Sequence, residues 1–155
     1  MIHHRENVRK LTCEDCIKAK ETLANFYYQN LMSCSCISNF DIHAARKKIE
    51  SLIEYVGNSS AFVYGYYVDD ILCGYLWAYE HAFREEKRMY VSEIRVEEKY
   101  RGKGIGKKLL KAIEEEAKIL GYPALYIHAE GNNKKAIKLY ELLGYELERV
   151  QLRKS

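Results

Sequence analysis

Three glycines at alternate positions open the run Arg101-Gly102-Lys103-Gly104-Ile105-Gly106-Lys107-Lys108, and a long amphipathic segment follows them. Glycine lets backbone N–H groups turn toward an anion with no Cβ in the way, and the first turn of a helix offers unbonded donors and a positive dipole end. Lys103, Lys107 and Lys108 stand at the end of the dipole that disfavours cations, a small cost that an arriving anion would cancel. The run therefore reads as a phosphate cradle. Two known cradles do not fit it. A Walker loop needs four residues between its glycines and then Lys-Ser or Lys-Thr, whereas three residues separate Gly102 from Gly106 and Lys107 is followed by Lys108. A dinucleotide fingerprint needs two residues before its third glycine, and here Ile105 stands alone.

Two further segments carry groups that can move protons. The alternating stretch Tyr90-Val91-Ser92-Glu93-Ile94-Arg95-Val96 reads as a strand leading into the cradle, with Glu93 as its one carboxylate, on the face opposite Ser92 and Ile94. A carboxylate there is either a general base or a strand glutamate paired with Arg95 or a neighbouring strand. In Asn133-Lys134-Lys135-Ala136-Ile137-Lys138-Leu139-Tyr140-Glu141-Leu142-Leu143-Gly144-Tyr145 the stripe Ala136, Tyr140, Leu143 has helical spacing, so Tyr140 is either core packing or an acid. The chain holds 14 tyrosines, so composition singles out none of them.

The pattern Arg101-x-x-Gly104-x-Gly106 after that strand resembles the coenzyme-A-binding signature of the GCN5-related N-acetyltransferases (GNAT), and the stretch from Asn133 to Tyr145 resembles the family's second signature. The resemblance covers essentially the whole chain, with specific motifs in the C-terminal half and a generic pattern in the first 60 residues. It implies transfer of the acetyl group of acetyl-CoA to an amine by direct attack in a ternary complex, with no metal. On the same basis the main chain of Ile94, Arg95 and Val96 would bind the pantetheine arm. The amides of Arg101, Gly102, Lys103, Gly104, Ile105, Gly106 and Lys107 would hold the pyrophosphate. Asn133 would contact the cofactor arm, Glu93 would serve as general base, and Tyr140 would stand near the sulfur as general acid. His128 is the reserve base, lying with Asn132 where the next strand would splay away. A non-catalytic acyl-CoA-binding or sensing domain and an ATP-binding enzyme are the rival classes.

These groups need elements to hold them. Glu6 to Leu11 reads as a short strand, and Thr12 with Asp15 as a capping box opening a helix to about Leu31. Asp41 caps a clearer helix carrying Ile42, Ala45, Ile49, Leu52, Ile53 and Val56 on one face, ended by Gly57. Ala61–Val68 and Ile71–Ala82 form a hairpin about Asp69-Asp70, and Arg88–Val96 adds a third antiparallel strand. The cradle helix presents Ile105, Leu109, Ile113, Ala117 and Leu120, closes at Gly121, and returns through Pro123 to a parallel strand, Ala124–Ala129. A helix from Asn133 to Leu143 and a last strand from Tyr145 to about Leu152 complete the order βααβββαβαβ. The fold class expected is a GNAT-like mixed α/β domain over residues 1–155, a mostly antiparallel sheet of six to seven strands flanked by about four helices.

Bulk properties narrow the classes. The chain has 155 residues, 48% of them hydrophobic, which suits one domain with a real core. Its 25 basic and 22 acidic side chains are interspersed, which argues against nucleic acid as a partner. No apolar run reaches membrane length and the opening Met1-Ile2-His3-His4-Arg5 lacks a signal peptide's apolar stretch, so a cytoplasmic protein is expected, with a homodimer admissible. Cys13, Cys16, Cys34 and Cys36 could be written as a zinc site, but reduced, buried thiols are the simpler reading, with Cys73 the odd fifth. Acceptor choice should rest on about Tyr27–Phe40 and Glu80–Lys87, where Glu80, Glu85 and Glu86 could attract a cationic amine, small molecule or peptide.

Overall fold

The computed structural model describes residues 5–33 and 39–155. Along the chain run β1 (Glu6–Leu11), α1 (Cys13–Lys18), α2 (Lys20–Met32), α3 (Ile42–Gly57), β2 (Ala61–Val68), β3 (Ile71–Phe83) and β4 (Glu86–Val96). A single 3-10 turn (Glu98–Tyr100), α4 (Ile105–Ile119), β5 (Leu125–Ile127) and α5 (Lys134–Leu142) follow. The five strands lie in sequence order in one sheet, antiparallel except for the β4/β5 pair.

Local chemistry accounts for most boundaries. The Thr12 hydroxyl accepts from Asp15 N at 3.1 Å and the Asp15 carboxylate accepts from Thr12 N at 2.9 Å, a reciprocal box that starts α1. Asp41 accepts from Ala44 N at 2.8 Å and starts α3. Asp69 and Asp70 turn β2 into β3 with φ of 48° and 65°, and Arg84 and Glu85 turn β3 into β4 with φ of 49° and 69°. Two consecutive left-handed residues make the turn whose twist matches the flanking strands, and aspartate tolerates that conformation better than most side chains.

The sheet separates two apolar layers. On one side α4 buries Ile105, Leu109, Leu110, Ile113 and Ala117 against Tyr64, Tyr66, Leu76, Met89 and Val91. On the other, α1, α2 and α3 bury Cys16, Leu23, Phe26, Ala45, Ile49 and Leu52 against Val63, Tyr75 and Trp77.

Two expectations need correction. The first helix is bent into α1 and α2 at Ala19, whose ψ relaxes to 9° although hydrogen bonds from Ala19 N to Asp15 O and from Leu23 N to Ala19 O still bridge the junction. The weak apolar stripe there exerts little pull toward one straight axis. The last strand is not formed, and the described residues make five strands rather than six or seven. Leu147 and Val150 are three residues apart, so alternation fails between them. Side chains anchor that segment instead: Tyr145 Oη donates to Glu114 at 2.9 Å, Arg88 meets Glu148 at 3.3 Å, and Arg149 stacks on Phe83 at 4.2 Å. Cys34 and Cys36 lie outside the described residues. Among the described residues no cluster of three or more His, Cys, Asp or Glu side chains could hold a metal ion, and no helix is long and apolar enough to cross a membrane.

Candidate active site

β4 and β5 run together only from Met89/Leu125 to Val91/Ile127, while β4 continues to Val96. Past Val91/Ile127 that pairing ends, and the start of α4 lies alongside, with the Gly106 Cβ position 3.9 Å from Ile94 Cδ1. The cradle itself has the conformation that glycine was needed for at two positions: Gly102 has φ of 80° and Gly104 of 75°, and a Cβ at either would meet nothing within 4 Å. Gly106 is ordinary helix, with a Cβ position 3.9 Å from Ile94 Cδ1, so its smallness is not required by conformation. Gly104 is the N-cap of α4 and supplies no side-chain cap, which leaves the donors of the first turn to an incoming acceptor. The carbonyls of Ile94 and Val96 face away from strand pairing toward side chains, accepting from Asn30 Nδ2 at 3.3 Å and Arg101 Nε at 2.9 Å. A ligand arm laid along β4 would share or displace these donors.

Glu93 owes its position to a bulge. Trp77 pairs with Glu93 and Ala78 with Val91, so Ser92 is an extra residue on β4. Met89 and Val91 face α4, as do Ile94 and Val96 beyond the bulge, and the shift puts Glu93 and Arg95 on the α2/α3 side with Tyr75 and Trp77. There Asn30 Nδ2 donates to the Glu93 carboxylate at 2.8 Å. Burial holds the carboxyl above the usual carboxylate range, opposed by the Asn30 hydrogen bond and the Lys48 charge. The ionised carboxylate in turn reaches three phenols: Tyr27, Tyr75 and Tyr140 are all raised, by burial first and by Glu93 second.

Tyr140 approaches from the other layer. It packs against the α4-side core and meets Tyr145 edge to face at 6.0 Å, and its hydroxyl makes no hydrogen bond among the described residues. Burial first, and the Glu93 charge second, raise the Tyr140 phenol above its ordinary value. Asn133 caps α5, accepting from Ala136 N at 3.2 Å, so its carbonyl oxygen is engaged and its amide donors are what it can offer a ligand. His128 is exposed just beyond β5 and stands edge to face with Tyr90 at 5.3 Å, farther along the aromatic floor.

The acidic trio Glu80, Glu85 and Glu86 does not converge. Glu80 accepts from Tyr122 on the α4 side at 2.8 Å, Glu85 sits in the tight turn, and Glu86 faces Arg88 at 3.5 Å. Tyr27 and Asn30 fall in the segment expected to choose the acceptor but had no individual role from sequence, and Lys48, Tyr75 and Trp77 were not singled out at all. For Asn30 a signal existed: Leu23, Tyr27 and Asn30 share an inward helical stripe, and a polar residue on such a stripe asks for a partner. An open cleft of about 670 Å³ between α2 and the end of β4, lined by Asn25, Gln29, Arg95 and Glu97 among others, gives this side of β4 an approach from solvent.

The sequence profile of the Acetyltransferase (GNAT) family matches residues 24–145. An uncharacterized N-acetyltransferase of Bacillus subtilis, YdgE, is 26% identical over 136 residues, covering 86% of this chain and 87% of the relative. The spermine/spermidine N(1)-acetyltransferase of the same organism is 37% identical over 60 residues, 38% of this chain and 40% of the relative. Among solved structures, the aminoglycoside N-acetyltransferase AAC(6')-Iy in complex with CoA superposes with a TM-score of 0.79 at 16% identity, covering 99% of this chain and 97% of that one. With the parted strands, the glycine cradle and the profile in agreement, the chain belongs to the GNAT family and is an acyl-CoA-dependent N-acetyltransferase.

Proposed function

We propose that the opening between β4 and β5 is the transfer site, with acetyl-CoA as donor and a primary amine, of a small molecule or a peptide, as acceptor. One observation carries this reading: β4 runs on past its last β5 partner at Val91/Ile127, and there the Ser92 bulge presents a half-buried carboxylate, Glu93, held by the Asn30 amide at 2.8 Å. The donor supplies a thioester carbonyl activated for attack. Glu93, made more basic by burial, accepts the proton that the attacking amine must lose as the new N–C bond forms. Tyr140, whose raised pKa keeps it protonated at neutral pH, gives its hydroxyl proton to the sulfur as the C–S bond breaks. The left-handed Gly102 and Gly104, with the uncapped start of α4, suit the pyrophosphate, and the outward carbonyls of Ile94 and Val96 suit an amide-bearing arm. Asn133, through its free amide hydrogens, adds a contact to that arm.

The acceptor side is aromatic rather than acidic. Tyr79, Tyr90, Tyr126 and His128 form a chain of ring contacts at 5.2–5.7 Å on the face that Glu93 shares. Arg88 lies over the Tyr126 ring of this row at 4.3 Å, and Lys48 lies over Trp77 on the same face of the sheet at 5.4 Å. That arrangement favours a mono-amine with an apolar body over a polycation such as the acceptor named for the spermine/spermidine relative. A cytoplasmic setting suits the free thiols Cys13, Cys16 and Cys73. A homodimer would cover Leu147, Val150 and Leu152, which are 75%, 67% and 90% exposed, and light scattering tests it. The decisive experiment is a panel of amines assayed by acetyl-CoA-dependent thiol release, with Glu93→Gln and Tyr140→Phe alongside. Turnover of an apolar primary amine, lost in both variants, is the expected result; undiminished turnover in both relocates the site.

A further inference from the structure

We infer that Asn30, on the last turn of α2, is the positioning residue for the Glu93 carboxylate, relaying the charge of Arg95 to it through a side-chain amide fixed in one orientation. This rests on Glu93 being the base. Asn30 Nδ2 donates both to the Glu93 carboxylate at 2.8 Å and to the Ile94 carbonyl at 3.3 Å, while Asn30 Oδ1 accepts from Arg95 Nη1 at 3.0 Å. Arg95 is itself held by its Nε donating to Gln29 Oε1 at 3.1 Å. Rotating the amide by half a turn would set its NH2 against the guanidinium and its oxygen against the carboxylate, two mismatches at once. The amide therefore has one orientation, and both its hydrogens point into the site.

The chemical consequence lies in what Glu93 lacks. Among the described residues it makes no ion pair within 4 Å, although Arg95 stands two residues along the same face. A guanidinium bound directly would stabilise the carboxylate and weaken it as a base; a neutral amide fixes its direction at a smaller cost in basicity. The groups facing Glu93 are Tyr27 and Asn30 from α2, Lys48 from α3, Tyr75 and the Trp77 indole from β3, Tyr140 from α5 and Arg95 along β4. Of these, Asn30 is the one that holds the carboxylate by a direct hydrogen bond.

The carbon-13 carboxyl resonance of Glu93, followed by NMR in the full chain without ligand, reads its titration and needs no acceptor. Asn30→Ala should move the midpoint upward by about one pH unit, the scale of one hydrogen bond to a charged group. Asn30→Asp should move it further, because the new carboxylate takes Arg95 as partner and sets a like charge beside Glu93. In turnover with the best amine of the panel, Asn30→Ala should cost about tenfold or more in the wild-type background and almost nothing in Glu93→Gln. Thermal melts establish that each variant is folded. A midpoint unmoved in both folded Asn30 variants, with Glu93→Gln still inactive, overturns the positioning role alone. Undiminished turnover in Glu93→Gln overturns the base reading and this inference with it.

Discussion

Gly102 and Gly104 can be tested against two other left-handed glycines that serve as internal controls. Gly102, Gly104, Gly121 and Gly144 have φ of 80°, 75°, 83° and 96°, and at each a Cβ would meet nothing within 4 Å. Replacing any of them with alanine thus adds no clash and imposes the same left-handed penalty, about 1–2 kcal/mol. Part of it is offset by the lower chain entropy of alanine in the unfolded state, roughly 0.4–1 kcal/mol. A net loss of about 1 kcal/mol corresponds to about 2–4 °C in Tm for a chain of this size. The four variants should therefore melt within a few degrees of one another. Coenzyme A affinity should not follow stability. At Gly104, the N-cap of α4, a methyl group projects into the open space from which an anion would approach the first-turn amides. Losing one or two hydrogen bonds to a charged group, about 1.5–3 kcal/mol each, weakens binding by at least tenfold. Calorimetric titration of coenzyme A into Gly104→Ala and Gly121→Ala makes the comparison. Equal dissociation constants in these two variants, both folded, would refute the cradle.

Tyr140→Phe should lower turnover about 100-fold or more, with coenzyme A affinity and Tm nearly unchanged, because the hydroxyl it removes has no hydrogen bond among the described residues. A melting temperature that collapses instead would make Tyr140 a packing residue. Glu93→Gln should raise Tm at neutral pH: burial lifts the folded-state pKa above its ordinary 4.5, so ionisation penalises the native state as pH rises through that interval. The gain should vanish below pH 4.5, where the carboxyl is protonated in both states, and a constant gain at every pH refutes the burial argument. Tyr75→Phe should leave stability unchanged or slightly improved, since the buried Tyr75 hydroxyl has no hydrogen-bond partner among the described residues; a loss above about 1 kcal/mol in denaturant melts would instead reveal a bridging water. Thr12→Ala should cost about 1 kcal/mol, read in the same melts, by opening the capping box of α1.

What the sequence disclosed was local. The capping box at Thr12, the Asp69-Asp70 turn and the amphipathic face of α4 each depend on residues within a few positions of one another, and each stands where the pattern put it, except that Leu120, expected on the α4 face, lies past the helix end and is 49% exposed. The last strand failed for the opposite reason. Whether Tyr145–Leu152 joins the sheet depends on what the β5 edge and the Phe83–Arg88 end of the hairpin offer it, and side-chain contacts with Arg88 and Phe83 win over a ladder. The residues around Glu93 were hard to read for a like reason, the inward stripe of α2 at Asn30 being the one local signal. Asn30 and Lys48 are 63 and 45 positions away in the chain, and only the packing of α2 and α3 on the sheet brings them to it. Alternation placed Glu93 opposite Ile94, which holds, but it also implied that Tyr90 shares the Ile94 face, and the Ser92 bulge reverses that.

That bulge and the opening beside it answer one geometric problem. A β-sheet insulates its two faces, because the backbone hydrogen bonds form a continuous wall between side chains that alternate up and down. Under the proposed mechanism the acid would come from α5 on the α4 side and the base from β4 facing α2 and α3, and an intact wall would keep an acceptor and a donor from using both. Two local departures remove the obstacle. The pairing of β4 with β5 stops at Val91/Ile127, which opens the wall, and the extra residue at Ser92 turns the next carboxylate toward the α2/α3 side. Each departure gives up ladder hydrogen bonds, and both occur within three residues of each other on β4.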